Sequence, residues 1–193
     1  MKQVTLIISA ISLFIFSSTA QQGGPVDQAA MEKAWQAYMT PGDVHKMLAK
    51  SDGEWTEDIT MWMVPGAPPE KTTATVVNKM ILGGRYQQSI HKGTVMGQPF
   101  EGMGTLAYDN AKKTFVSTWA DNMGTGIMVM EGPWDDATKT INMKGKQTEP
   151  MTGKDMDMRQ TFKIIDDNTQ QLEMFATQNG TEYKTMEIKL KRK

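Results

Sequence analysis

Gly53-Glu54-Trp55-Thr56-Glu57-Asp58-Ile59-Thr60-Met61-Trp62-Met63 is the stretch on which the reading of the fold turns. Trp55, Ile59, Met61 and Met63 share one parity, and Thr56, Asp58 and Thr60 hold the other. That alternation is the signature of a strand with one face buried. Beyond the Pro65 to Pro69 loop, further strands are predicted at about 71–81, 84–93, 99–108, 113–121, 124–132, 139–147, 155–165, 170–178 and 181–191. Turn chemistry separates them: Gly83-Gly84, Gly97-Gln98-Pro99, Asp109-Asn110, Asn122-Met123-Gly124, Asp135-Asp136, Asp166-Asp167-Asn168 and Asn179-Gly180. Gly124-Thr125-Gly126 falls between strands and reads as a hairpin turn rather than a phosphate loop, and Asn179-Gly180-Thr181 reads as a hairpin before a glycosylation acceptor.

An internal echo supports hairpins in series. Tyr108-Asp109-Asn110-Ala111-Lys112-Lys113-Thr114-Phe115 resembles Trp134-Asp135-Asp136-Ala137-Thr138-Lys139-Thr140-Ile141, and Ile165-Asp166-Asp167-Asn168-Thr169 repeats its opening. No connection is long enough for a crossover helix, so the strands form an antiparallel meander. A meander this long most easily closes on itself, which removes its edges. The expectation is a mainly β chain, an up-and-down barrel of about 8–10 strands wide enough for side chains or one small ligand.

Upstream, helical signals replace alternation. Asp27 can cap a helix carrying Ala30, Ala34, Trp35, Ala37 and Tyr38. A second short helix is predicted with Thr40 as cap, Pro41 at its first position and Asp43 completing a capping box, ending at Ser51-Asp52-Gly53. The first twenty residues differ again. Lys2, an apolar run from Val4 to Phe16 and small residues Ser17-Ser18-Thr19-Ala20 read as a signal peptide cleaved near Ala20. The run is shorter than the roughly twenty residues that span a bilayer. The division is therefore 1–20 leader, 21–39 linker and N-terminal helix, and 40–193 barrel, with an exported, periplasmic or secreted product.

Composition excludes several function classes. Removing Lys2 leaves 20 Lys+Arg against 22 Asp+Glu, a formal charge of −2, with no footprint for nucleic acid or anionic lipid. The basic run Lys189, Lys191, Arg192 and Lys193 reads as a solvated chain end. With no cysteine there is no disulfide, thiol nucleophile, lipid-anchoring cysteine or thiolate metal site. Stability rests on the core alone. The 18 methionines suit irregular, adaptable interiors.

The order of Thr40-Pro41-Gly42, Gly53-Glu54-Trp55, Met61-Trp62-Met63, Pro65-Gly66-Ala67-Pro68-Pro69 and Ile81-Leu82-Gly83-Gly84-Arg85-Tyr86 resembles a family of mostly bacterial proteins, domain of unknown function 1579. Gly97-Gln98-Pro99-Phe100-Glu101-Gly102, Asp121-Asn122-Met123-Gly124-Thr125-Gly126 and Pro150-Met151-Thr152-Gly153-Lys154 extend the likeness over about 40–192. The resemblance implies a lipocalin-like (calycin-type) barrel and carries no site residues with it. In lipocalins a Gly-x-Trp opening closes one barrel end against a basic side chain of the last strand. Arg192 is placed for that role here.

No catalytic motif stands out, and neither metal nor cofactor is expected. His45 and His91 are the only histidines and lack ligand spacing. His91 shares its face with Arg85, Gln87 and Ser89, which reads as solvated. Met61/Met63, Met128/Met130 and Met156/Met158 are same-face pairs that pave an interior more readily than they bind cuprous ion. Glu57 has the parity of Trp55, so strict alternation points it inward, where it needs a partner, Arg85 or Arg159 being the candidates; a bulge or a strand end at this point would instead leave it in solvent. The chain therefore reads as a binding protein for a small apolar molecule. Trp55, Trp62, Trp119, Met128, Met130, Met156 and Met158 are the expected lining, with Glu57, Arg85 and Arg159 as polar anchors. Two alternatives stand beside it: an isomerase or dehydratase using Glu57, and a filled barrel that meets a protein partner in the envelope through the Pro65–Pro69 loop or leading helix.

Overall fold

The computed structural model describes residues 27–193, so the predicted leader and the Gln21 to Pro25 linker lie outside the described residues. Helices α1 (Gln28–Met39) and α2 (Asp43–Ala49) precede the strands β1 (Gly53–Met61), β2 (Glu70–Ile81), β3 (Tyr86–Val95), β4 (Gln98–Asp109), β5 (Thr114–Asp121) and β6 (Met128–Gly132). There follow β7 (Trp134–Asp135), β8 (Thr140–Thr148), β9 (Asp155–Asp166), β10 (Thr169–Gln178) and β11 (Thr181–Arg192). Every predicted strand is present within a few residues, and only the two-residue β7 lies outside the expected set.

Consecutive strands pair antiparallel from β1 to β6 and from β7 to β11, β1 pairs with β11, and β6 pairs with β8, so ten strands close into a barrel with β7 at its margin. The closing seam is short: Val129 opposes Lys146, Met130 opposes Gly145 and Glu131 opposes Lys144. Glycine is required here, because a Cβ on Gly132 would fall 1.7 Å from the carbonyl oxygen of Asn142 and one on Gly145 2.2 Å from that of Val129.

Alternation sorts the two faces. Trp55, Val76, Phe115, Met130, Ile141, Met143, Met158, Met174, Ala176 and Leu190 are buried inward. Thr56, Asp58, Lys71, Thr73, Lys79, Lys144 and Lys163 are exposed outward. An apolar inside and a charged outside invert the pattern of a membrane-spanning barrel. Each large buried apolar side chain contributes about 1.5–3 kcal/mol, enough to hold the domain without disulfides.

One end is plugged by α2, whose Leu48 joins the core. The cap differs from expectation. The helix begins at Asp43 with Gly42 as its cap, and the Gly42 N–H donates to Nδ1 of His45 at 3.1 Å. Thr40 instead closes α1, donating its hydroxyl to the Gln36 carbonyl at 2.6 Å. The chain leaves α1 extended at Thr40, so Pro41 follows a non-helical residue as its ring demands. Helix α1 buries none of its residues and is tied to the barrel at its C-terminus, where Asn110 caps the Ala37, Tyr38 and Thr40 carbonyls and Arg85 that of Met39.

At the same end Trp55 is fully buried and donates from Nε1 to the Ser51 carbonyl at 2.9 Å. Arg192 lies over its ring, as the Gly-x-Trp resemblance implies. The other end, away from α2, carries loops 62–69, 96–97, 122–127, 149–154 and 179–180 and is termed the mouth.

Candidate functional site

The parity that buries Trp55 also buries Glu57, which is 2% exposed. A carboxylate so enclosed must have a partner. It is His91: Nδ1 lies 3.1 Å from Oε1 and 3.1 Å from Oε2. The two residues sit on β1 and β3, with β2 between them. Two strand spacings, roughly 9–10 Å, are bridged because the inward residue opposite Glu57 on β2 is the small Ala74.

The sequence places His91 on a solvated face together with Gln87 and Ser89, and the structure reverses this. Register decides it: Val76 opposes His91 and Asn78 opposes Ser89, and both β2 residues are buried inward. Two groups of this polar face find partners inside. Gln87 donates to the Leu48 carbonyl at 2.7 Å, and His91 pairs with Glu57. The expected partners of Glu57 are elsewhere. Arg85 is exposed in the β2–β3 turn, bonded to the Leu82 and Met39 carbonyls. Arg159 points outward, paired with Glu182 at 2.7 Å and lying 3.8 Å from the Phe175 ring centroid. Neither lines the interior.

Aromatic groups complete this wall. The Trp119 ring meets His91 edge-on with centroids 4.9 Å apart, and Phe100 stacks beside it at 6.4 Å. Its Nε1 donates to Asp121 Oδ2 at 2.7 Å. The indole lies flat across β4 because Gly102 is there; a Cβ at that position would come within 2.5 Å of the ring.

The opposite wall is methionine. Met130 and Met158 are buried, and Met128 and Met156 pack against the same core cluster. Met143, Met174 and Met186 extend the surface. The interior thus has a polar-aromatic side, Glu57, His91, Trp119 and Asp121, facing a soft thioether side. Trp55 belongs to the plugged end rather than to this site. Trp62 lies beyond the end of β1 with its ring centroid 5.9 Å from Lys184 Nζ, outside the barrel, and Met63 is 56% exposed, so Met61/Met63 does not form an inward pair.

The chemistry of the pair follows from its donors. The contact uses Nδ1 alone, so in the tautomer that donates Nδ1–H to the carboxylate Nε2 is the free, accepting nitrogen. Among the described residues Nε2 makes no hydrogen bond. His45, the other histidine, serves the start of α2 instead. Burial, then the charge of Arg85, hold it below the usual imidazole range. Among the described residues no three His, Asp or Glu side chains converge as metal ligands.

Sequence reasoning missed His91, Phe100 and Asp121 as site members. The detectable signal was register: counting back from Trp55 through β2 makes the odd residues of β3 inward.

The fold has a solved counterpart. The crystal structure of Rv2717c from M. tuberculosis superposes with a TM-score of 0.60 at 14% identity, covering 80% of this chain and 99% of that one. At that identity the likeness speaks for the fold alone. No curated protein matches the sequence. The family model described as "Protein of unknown function (DUF1579)" matches residues 40–192. That match spans α2 and every strand of the barrel, and the chain belongs to the DUF1579 family.

Proposed function

We propose that the barrel binds a small, mostly apolar molecule carrying one hydrogen-bonding group. The observation that supports it is the Glu57–His91 pair on the polar wall of the interior, opposite the methionines, with Glu57 2% and the His91 side chain 14% exposed and an unpartnered ring nitrogen beside Trp119. A pair of this kind contributes little net stability and leaves a polar atom to orient a ligand. Trp119 and Phe100 offer ring contacts, and the methionine wall adapts to the ligand's apolar body. The ligand is met in the exported compartment. The test is native mass spectrometry of the protein recovered from the exporting cell. The expected result is a bound small-molecule mass that disappears on denaturation and is absent from the His91→Phe variant. A clean apo mass for the wild-type protein would sink the reading.

A second reading rests on the same nitrogen. Glu57 orients His91 so that Nε2 can accept a proton from a bound molecule, as an isomerase or dehydratase requires. In this version His91 is the base and Glu57 the positioning residue. Turnover of the co-purified molecule, lost in Glu57→Gln while binding persists, would separate catalyst from carrier. Binding with no turnover rejects this version.

A further inference from the structure

We propose that the mouth of the barrel docks onto the surface of a lipid bilayer with electrically neutral headgroups. The loop tips at this end carry no charged residue: 62–69 reads Trp-Met-Val-Pro-Gly-Ala-Pro-Pro, 96–99 Met-Gly-Gln-Pro and 122–127 Asn-Met-Gly-Thr-Gly-Ile. The remaining tips, 150–153 Pro-Met-Thr-Gly and 178–181 Gln-Asn-Gly-Thr, are uncharged too, with Glu149 and Lys154 facing each other at the base of the first. In a chain with 22% charged residues this is an uneven distribution. The plugged end is the contrast, because its turns carry Arg85, Lys112, Lys113, Asp136, Lys139 and Asp167.

The uncharged tips are apolar at their most exposed points. Met63 is 56% exposed, Val64 57%, Met96 66%, Met123 53%, Ile127 70% and Met151 94%. Four separate loops supply these residues, and all four open at the same end. An exposed apolar rim of this kind marks an interaction surface.

The charge pattern selects the occupant. A protein interface normally has a polar, often charged rim level with its apolar centre, whereas here Glu70, Glu149 and Lys154 stand at the loop bases, behind uncharged apolar tips. A bilayer boundary penalises charge and rewards shallow insertion of apolar side chains. It also presents no fixed shape, which suits flexible methionines on independent loops. No basic cluster accompanies the tips, so attraction to anionic lipid has no part in the contact. Docked this way, the Glu57–His91 interior faces the membrane, and an apolar ligand would enter without crossing water. That purpose rests on the function proposed above; the docking itself does not.

The experiment is flotation of the protein recovered from the exporting cell with phosphatidylcholine vesicles, at low and high salt. The wild-type protein is expected to float with the vesicles at both. The combined Met63→Ser, Met96→Ser, Met123→Ser and Met151→Ser variant should bind roughly tenfold more weakly or worse, with unchanged thermal unfolding. Met103→Ser, on the outer wall, should bind as wild type. No flotation of the wild-type protein, flotation only with anionic lipid and lost in salt, or an unaffected quadruple variant would each overturn the proposal. So would a salt-independent dimer that the quadruple variant abolishes in place of vesicle binding. Flotation reads docking and the co-purified mass reads the ligand, so either idea can fail while the other stands.

Discussion

The guanidinium of Arg192 lies 4.3 Å from the centre of the Trp55 ring, joining the last strand to the first at the plugged end. The same group donates to the carbonyls of Asp52 at 2.8 Å, Lys50 at 2.5 Å and Asp167 at 3.0 Å. It thereby satisfies the end of α2 and the β9–β10 turn together. Arg192→Ala removes a cation–π contact and three charge-assisted bonds, and is expected to destabilise the domain by about 2–3 kcal/mol. Arg192→Lys should recover less than half, because a point charge cannot reach three carbonyls and the ring. Equilibrium urea unfolding measures both; equal stability of the two variants would reject the fork as the cause.

A pH-dependent weakening is expected from His45. Its folded-state value lies below the ordinary 6.5, with burial the main cause and Arg85 the second. The unfolded chain therefore binds the proton more readily. The stability this residue contributes is complete above pH 6.5 and declines as pH falls toward the lower folded value. Protonation also removes the acceptor that Nδ1 offers to the Gly42 N–H. His45→Asn keeps an acceptor without a titrating ring. The stability difference between wild type and variant should shift against the wild type between about pH 6.5 and 5. A constant difference across that range would show that His45 does not titrate in this window.

The barrel was legible because its strands obey a period of two and its turns carry Gly, Asn and Asp at the required points. The interior was only half legible. Glu57 could be placed by parity from Trp55, but its partner could not, since His91 is distant in sequence and sits on a face that is polar throughout. Polarity alone reads as solvated, and only register across β2 turns that face inward. Arg85 and Arg159 were chosen on charge, the sole criterion a sequence offers for pairing a buried acid. Arg159 shows how that fails: it is one residue from the inward Met158, and one residue reverses the face.

Ala74 keeps Glu57 and His91 together. Its side chain is the small one on the strand between them. Ala74→Leu is expected to lower stability by about 1–3 kcal/mol through overpacking. It should also part the pair, removing the downfield Nδ1 proton signal of His91 from the NMR spectrum. Val77→Leu, on the outer face of the same strand, should leave that signal in place. Retention of the signal in Ala74→Leu would mean that the pair does not depend on this gap.

The repeated Tyr/Trp-Asp-x-Ala motif is one turn used twice. Asp109 Oδ1 accepts from the Ala111 N–H at 2.8 Å and the Lys112 N–H at 3.0 Å. Asp135 Oδ1 accepts from the Ala137 N–H at 2.9 Å and the Thr138 N–H at 3.2 Å. Each turn then passes through a left-handed lysine, Lys113 and Lys139, both with φ of 54°. A left-handed non-glycine residue costs about 1 kcal/mol, part of which glycine recovers before its greater freedom in the unfolded chain is charged against it. Lys113→Gly and Lys139→Gly should therefore each stabilise by a few tenths of a kcal/mol. Because the turns belong to separate hairpins, the double variant should show the sum. Asp109→Ala and Asp135→Ala should both lower the thermal midpoint. If either glycine variant is instead clearly less stable than wild type, the lysine side chains make contacts that outweigh their backbone strain.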